Sequence, residues 1–210
     1  QMCIRDRALE AGVRVSLGHS AASAEVARRG FALGADRLTH TFNAMDSLHH
    51  REIGLVGAAF LDDDVFLEVI CDGIHLAPDT LLLLGRMFSA RRLVGITDAN
   101  AGAGMPEGTE VVPVGGRASV KNGAVRLEGG TLAGSVIRIG EGLQNLVRWS
   151  GLPPRAALEC VTLTAARSVG LDTDHGSIEK GKRADLTLLD AETLAPRAVI
   201  LGGKLAWKRD

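Results

Sequence analysis

From residue 13 to residue 98, short apolar runs alternate with helix-forming stretches, and the connections between them are brief. A chain with that rhythm has few folds open to it. Consecutive strands joined through a helix run parallel, and a parallel sheet needs helices to cover its faces. Residues 13–17, bounded by Gly12 and Gly18, read as the first strand. Ser23 caps a helix carrying Val26, Phe31 and Leu33, and Gly34 closes it. A short strand at 37–39 follows, then a loop-like stretch at 42–57 rich in Asn, Asp, Ser and His. Residues 65–71 form a strong apolar strand, Pro78 opens a helix containing Leu81, Leu84 and Phe88, and 93–97 is the next strand.

The polar residues with chemical potential stand where these strands end. His19 follows the first strand, His40 the second and Asp98 the last. In parallel α/β folds the carboxyl ends of the strands are where function collects, because the loops there converge on one edge. The 21-residue separation of His19 and His40 is one βα unit, so the two imidazoles come from neighbouring strands. Two neutral ring nitrogens are a ligand pair for zinc or a similar divalent metal. A third, carboxylate ligand finds no assignment in these residues. Asp98 suits a general base that takes a proton from water and passes it to a leaving group. A lone His after a strand is more often a packing residue, and an Asp there more often a turn or cap; the pairing of the two His is what favours a site.

Other candidates lie in the same loops. In Asp72-Gly73-Ile74-His75, His75 is open to metal ligation or substrate contact, and Asp72 to bracing its own loop. Asn43 and Ala44 closely follow His40 and can hydrogen-bond a substrate oxygen. Arg51 can grip an anion with its planar fork or be a plain surface residue. His49 and His50 are expected to be solvated, and His175 has no role. The glycine-rich run at 129–135 is expected to open a helix with its amides facing a substrate; it lacks the lysine of a phosphate-binding loop, which argues against nucleotides.

Composition narrows the partners. Among 210 residues, 46% are hydrophobic and 23% charged, with a net charge of −1, and the basic residues form no block. Neither a nucleic-acid nor a membrane surface is expected as the main partner. No apolar run approaches the roughly 20 residues of a membrane span, and no secretory signal opens the chain. Cys3, Cys71 and Cys160, an odd set without paired spacing, read as free thiols in a reducing cytoplasm; for Cys71 and Cys160 buried packing is the expected role. Residues 1–7 read as a leader foreign to the fold, with the fold starting near Ala8.

Beyond residue 102 the texture changes. Residues 102–134 hold nine of the 26 glycines around strand-like pieces at 110–114, 117–120 and 124–127, with Asn122-Gly123 as a hairpin turn. Val136, Ile139, Leu143 and Leu146 mark one helical stripe. Leu158, Val161, Ala165 and Val169 mark a second, behind Pro153 and Pro154. Strands return at 185–189, 198–201 and 205–207.

Gly18-His19-Ser20, Thr39-His40-Thr41-Phe42-Asn43-Ala44-Met45, Asp72-Gly73-Ile74-His75, Thr97-Asp98-Ala99 and Thr131-Leu132-Ala133-Gly134-Ser135 occur in that order. Together they resemble the N-acetylglucosamine-6-phosphate deacetylases of the amidohydrolase superfamily. The segment Gly176-Ser177-Ile178-Glu179-Lys180-Gly181-Lys182-Arg183-Ala184-Asp185-Leu186 resembles a tail shared across that superfamily. The resemblance covers residues 8–208. It implies an α/β fold: the carboxyl-terminal half of a (β/α)8 TIM barrel plus part of a small β-sandwich. It divides the chain into a partial barrel at 8–101, a β-rich insertion at 102–134, barrel-completing helices at 135–172 and sandwich strands at 173–210. It implies His19 and His40 as ligands of zinc or iron, and Asp98 as the catalytic acid/base. It implies sugar-phosphate contacts from Asn43, Ala44, Arg51 and His75, a sugar pocket lined by Leu132, Ala133 and Gly134, and a homodimer. In that family a glutamate ligand and a His-bearing substrate loop come from earlier strands, which are not found here.

The expected reaction is removal of the N-acetyl group of N-acetylglucosamine 6-phosphate. Two rivals stand beside it: another amidohydrolase, dihydroorotase- or deaminase-like, and a truncated fragment that binds ligand without turning it over.

Overall fold

A computed structural model of the chain describes residues 2–113 and 115–209. Gln1, Val114, Asp210 and the side chain of Cys3, on which expectations above fall, lie outside the described residues. The chain divides into two compact units: Gln1–Val69 with Arg92–Val94, and Ile70–Arg91 with Gly95–Asp210.

The first unit begins with α1 (Met2–Glu10), β1 (Val15–Leu17), α2 (Ala24–Ala32) and β2 (Ala35–Leu38). It continues through α3 (Gly54–Phe60) and β3 (Phe66–Ile70), and β4 (Leu93–Ile96) starts within it. The four strands form one sheet in the order β1-β2-β3-β4. β1 pairs with β2 and β2 with β3 in parallel, as the βα rhythm requires. Leu38, Leu67 and Val69 are fully buried and lie in the core of this sheet. The four expected strands are present; β1, β3 and β4 are shorter than expected, and β2 is shifted, beginning two residues earlier and ending one earlier.

Ser23 caps α2 as expected, its hydroxyl accepting from the Val26 amide at 3.4 Å. The buried face differs. Ala24, Ala27 and Phe31 are buried, whereas Val26 and Leu33 are 56% and 43% exposed. A helix starting one residue after Ser23 turns those two apolar residues outward. α1 takes in Met2 to Arg7, the described part of the expected leader. α3 falls across the end of the stretch read as loop. Its residues Gly54, Leu55, Val56, Gly57, Ala58 and Ala59 are all buried. A helix enclosed on every side has no polar face, so it shows no period to read.

The second unit holds α4 (Pro78–Met87), which starts at Pro78 and buries Leu81 and Leu84 as expected. β5 (Glu110–Val111), β6 (Ala118–Lys121), β7 (Ala124–Leu127) and β8 (Leu132–Ser135) form an antiparallel sheet in sequence order. Asn122 and Gly123 both have positive φ, 52° and 75°, which is the two-residue hairpin turn that Asn-Gly favours. The 129–135 run does not open a helix. Its last four residues become β8 instead, where Gly134 sits at φ 109° and Ser135 is bonded to the backbone at Asp98.

α5 (Ile139–Trp149) follows and buries Leu143 and Leu146. Ile139 is 46% exposed, and Val136 precedes the helix and packs on the Ala118, Val120 and Val125 cluster. The second expected stripe is replaced by two helices, α6 (Pro154–Cys160) and α7 (Leu163–Ser168). The break at Thr162 (φ −129°, ψ −91°) resets the helical phase. Ala157, Cys160, Thr164, Ala166 and Ser168 are buried instead, and Val169 is 46% exposed. β9 (Leu186–Leu189), β10 (Pro196–Leu201) and β11 (Lys204–Lys208) close the chain as an antiparallel sheet ordered β11-β10-β9. Leu188, Leu201, Leu205 and Trp207 stay exposed on it. Among the described residues no helix is long and apolar enough to cross a membrane.

Arg92 closes the first unit where β4 begins. Its guanidinium donates to Ala59 O at 2.7 Å, Val65 O at 3.1 Å and Phe60 O at 3.4 Å, capping the open carbonyl end of α3. Arg92→Met would remove the three guanidinium bonds to those carbonyls. A loss of about 1–3 kcal/mol is expected, read as a lower urea midpoint with an unchanged slope.

Candidate functional site

The parallel register decides where the histidines stand. Leu17 pairs with Leu38, and His19 and His40 each lie two residues further on. Equal offsets from a shared rung bring the rings together. Their Nε2 atoms are 2.8 Å apart and their ring centroids 4.6 Å. Two bare lone pairs repel at that distance, so a proton or a cation has to lie between them. Such a pair of imidazole donors fits one divalent metal. His40 is buried, and its Nδ1 has no partner among the described residues. No group of three His, Cys, Asp or Glu suited to a metal occurs among the described residues.

Backbone conformation singles out the same positions. Seven described non-glycine residues have positive φ: His19 (46°), His40 (28°), Phe42 (75°), Ala44 (53°), Asp98 (48°), Asn122 and Leu194. Five of the seven lie in the strand-end segments singled out by sequence. Each such residue costs on the order of 1–3 kcal/mol and persists only where its surroundings over-determine it. At His19 the constraint comes from β2: the Thr39 amide donates to Leu17 O at 2.8 Å, and the Thr39 and Ser16 hydroxyls share a hydrogen bond. A Cβ on Gly18 would stand 2.7 Å from Thr39 Cβ, so the residue before His19 has to be glycine. At His40 the constraint comes from β3. The Thr41 amide donates to Glu68 O at 2.8 Å and the His40 amide to the Glu68 carboxylate at 3.4 Å. Sequence reading missed Glu68, whose only signal is a charge inside an apolar strand.

Asn43 folds its loop back on His40. Its amide donates to His40 O at 2.9 Å, and its Nδ2 reaches His40 O and Thr41 O, both at 3.3 Å. Arg51 lies at the tip of a tight turn closed by mutual backbone bonds between His49 and Glu52, at 3.2 and 3.1 Å. It is exposed, as are His49 and His50. Its Nη1 lies 2.7 Å from His50 Nε2. Glu52 anchors this turn: one carboxylate oxygen accepts the Ala24 amide at 3.1 Å and the Gly54 amide at 2.9 Å, capping α2 and α3 together. The Gly54 and Ala24 amides hold the Glu52 carboxyl below its ordinary 4.5.

In the second unit, Asp98 is stapled to β8. Its carbonyl accepts the Ser135 amide at 3.0 Å, and the Ser135 hydroxyl donates to Thr97 O. Asn100 Nδ2 donates to Ala133 O at 2.5 Å. A Cβ on Gly134 would meet Asn100 Nδ2 at 2.9 Å and Asp98 O at 3.0 Å. Leu132, Ala133 and Gly134 are therefore packed as a strand against the Asp98 turn, which joins two of the expected site segments. Asp72 does brace its own loop. One oxygen accepts the Ile74 and His75 amides, both at 2.8 Å, and the other lies 2.6 Å from His75 Nδ1. Burial alone would raise the Asp72 carboxyl, but the bonds from the His75 ring and the two amides bring it below its usual value. Cys71 and Cys160 are buried; burial pushes the Cys71 thiol far up and the Cys160 thiol to about 12. Neither is a nucleophile at neutral pH.

Because the folded Glu52 pKa is depressed, its contribution is present above pH 4.5 and fades as pH falls through the lowered value. Glu52→Gln is expected to melt at a lower temperature than the unaltered chain at pH 7. The two melting curves converge in acid. A difference that persists once both side chains are neutral would count against the double cap.

Comparison with known proteins follows this geometry. The amidohydrolase family model matches residues 2–206. N-acetylgalactosamine-6-phosphate deacetylase of Escherichia coli O157:H7 is 40% identical over 194 residues, which is 92% of this chain and 51% of that protein. The crystal structure of N-acetylglucosamine-6-phosphate deacetylase from Thermotoga maritima superposes with a TM-score of 0.92 at 35% identity, covering 98% of this chain and 56% of that one. An aspartate-to-alanine variant of the Mycobacterium smegmatis N-acetyl-D-glucosamine-6-phosphate deacetylase, in complex with N-acetyl-D-glucosamine-6-phosphate, superposes with a TM-score of 0.90 at 32% identity, covering 97% of this chain and 54% of that one. The chain spans about half the length of each of these three relatives. With a family model matched along nearly its whole length, this chain belongs to the amidohydrolase family.

Proposed function

We propose that this chain carries the imidazole and acid/base part of a deacetylase acting on N-acetylglucosamine 6-phosphate. The observation that carries the reading is the convergence of His19 and His40 through Nε2, each on a left-handed residue. Amidohydrolase membership implies a divalent metal, and zinc or iron suits two imidazole donors. Bound there, the metal would supply polarisation of the acetyl carbonyl and a more acidic water.

The chain's own residues do the rest. His19 and His40 follow β1 and β2, and Asp98 follows β4, each just past the carboxyl end of a strand, where parallel folds carry catalytic groups. Asp98 takes a proton from the attacking water and returns it to the departing nitrogen. Acetate leaves with the water oxygen, and the amino-sugar phosphate leaves as the amine. Arg51 faces the phosphate, with Asn43, Ala44 and His75 on the sugar phosphate and Leu132, Ala133 and Gly134 against the sugar. The fold behind this reading is the carboxyl-terminal half of a (β/α)8 barrel with part of a β-sandwich. The exposed apolar residues on the β9–β11 sheet support the second part, since sandwich sheets pack face to face. The reading also takes the protein as a cytoplasmic homodimer.

Acetate release from N-acetylglucosamine 6-phosphate, N-acetylgalactosamine 6-phosphate and the unphosphorylated sugars tests the substrate. The expected order puts a phosphorylated sugar first and N-acetylglucosamine 6-phosphate at its head. Asp98→Asn is expected to lower turnover by about 100-fold or more while zinc content stays unchanged. Retained turnover refutes the role of Asp98. A second reading, a ligand-binding piece without turnover, is favoured by the two-donor set. Zinc titration separates the two: roughly micromolar or tighter binding, lost in His19→Ala and in His40→Ala, supports the catalytic reading.

A further inference from the structure

We propose that Asp72 and Asn145 are positioning residues that hold His75 as the Nδ1-protonated tautomer, leaving Nε2 to accept a hydrogen bond from a sugar hydroxyl. The inference rests on the reading of His75 as a ligand contact and assigns that contact its chemistry.

Three surroundings fix the loop. Both oxygens of Asp72 are committed, one to the Ile74 and His75 amides and the other to His75 Nδ1 at 2.6 Å. The two side chains are 3% and 4% exposed. From α5, Asn145 Nδ2 donates to Cys71 O at 2.7 Å, pinning the chain just before Asp72. Also from α5, the Trp149 ring closes over Gly73, where a Cβ would stand 3.0 Å from it; Gly73 has φ 76°. An ionised carboxylate only accepts, so the proton of the neutral ring sits on Nδ1. A free imidazole prefers the other tautomer, so this one is imposed by the protein. Nε2 then presents a lone pair. A phosphate dianion has no proton to offer it, whereas a sugar hydroxyl does. His75 therefore reads the sugar ring, and the phosphate is left to Arg51.

Nitrogen-15 spectra of the histidine rings in the full chain test this, with His75→Gln identifying the His75 signals. The unaltered chain is expected to show the Nδ1–H pattern at His75. In Asp72→Asn the two loop amides claim the carboxamide oxygen, which turns its NH2 toward the ring. That variant is expected to switch His75 to Nε2–H. Asn145→Ala is expected to populate both tautomers. An Nε2–H ring in the unaltered chain overturns the proposal without any variant having to fold. An unchanged Nδ1–H pattern in Asp72→Asn also overturns it, and an unchanged pattern in Asn145→Ala removes Asn145 from it. Glucosamine 6-phosphate is expected to shift the Nε2 signal, and inorganic phosphate to leave it in place. The expected tautomer with no shift at saturating glucosamine 6-phosphate sinks the contact reading of His75. The wrong tautomer together with such a shift sinks only the present inference.

Discussion

The parallel register between β1 and β2 is the constraint on which the candidate site depends. With Leu17 opposite Leu38, the chain leaves both strands at the same height, and two residues later each strand presents an imidazole. A slip of one residue would move every side chain of the strand to the other face of the sheet. The His pair would part, and Leu38 would leave the core, where it is fully buried. Hydrophobic burial therefore specifies the register, and the register specifies the site. The left-handed backbone at His19 follows from the same pairing, through the Thr39 amide on Leu17 O, and that at His40 from the pairing of β2 with β3, through the Thr41 amide on Glu68 O.

The second unit solves a similar problem by a different route. Asp98 also turns through a left-handed conformation, but its restraints come from β8 rather than from a parallel neighbour. Ser135 is fully buried, and with Asn100 it ties the Asp98 turn to the strand carrying Leu132, Ala133 and Gly134. Gly134 is needed because a side chain there would collide with that turn. The Asp98 turn and the Leu132–Gly134 strand are thus built on one hydrogen-bonded ladder. Displacing that strand displaces the Asp98 turn with it.

Legibility varied with how each residue is surrounded. The strands around Leu17, Leu38, Val69 and Leu93 were readable because short apolar runs bounded by turn residues have few other uses. α4 was readable from Pro78 and its apolar stripe. α3 was not, because burial on all sides erases the period. The run at 129–135 misled because glycine-rich sequence ahead of an apolar stripe fits a helix start as well as a strand; the bond from Ser135 to Asp98, 37 residues earlier, decided between them. The stripe from Leu158 to Val169 misled because the helix breaks at Thr162. Of the site, His19, His40 and Asp98 were visible as polar residues after strands. Glu52, Glu68, Asn100 and Asn145 were invisible, because each acts through a partner brought near only by folding.

The sequence by itself determined the βα rhythm, the identity of the strand-end donors and the motif order shared with amidohydrolases. Those are local properties: an apolar run, a turn residue and a donor atom are the same before and after folding. Tertiary structure alone decided that two imidazole nitrogens would stand 2.8 Å apart, which carboxylate oxygens would be committed to backbone amides, and which faces of the helices would be buried. Those are distances between residues far apart in the chain, set by register and packing, and no single segment contains them.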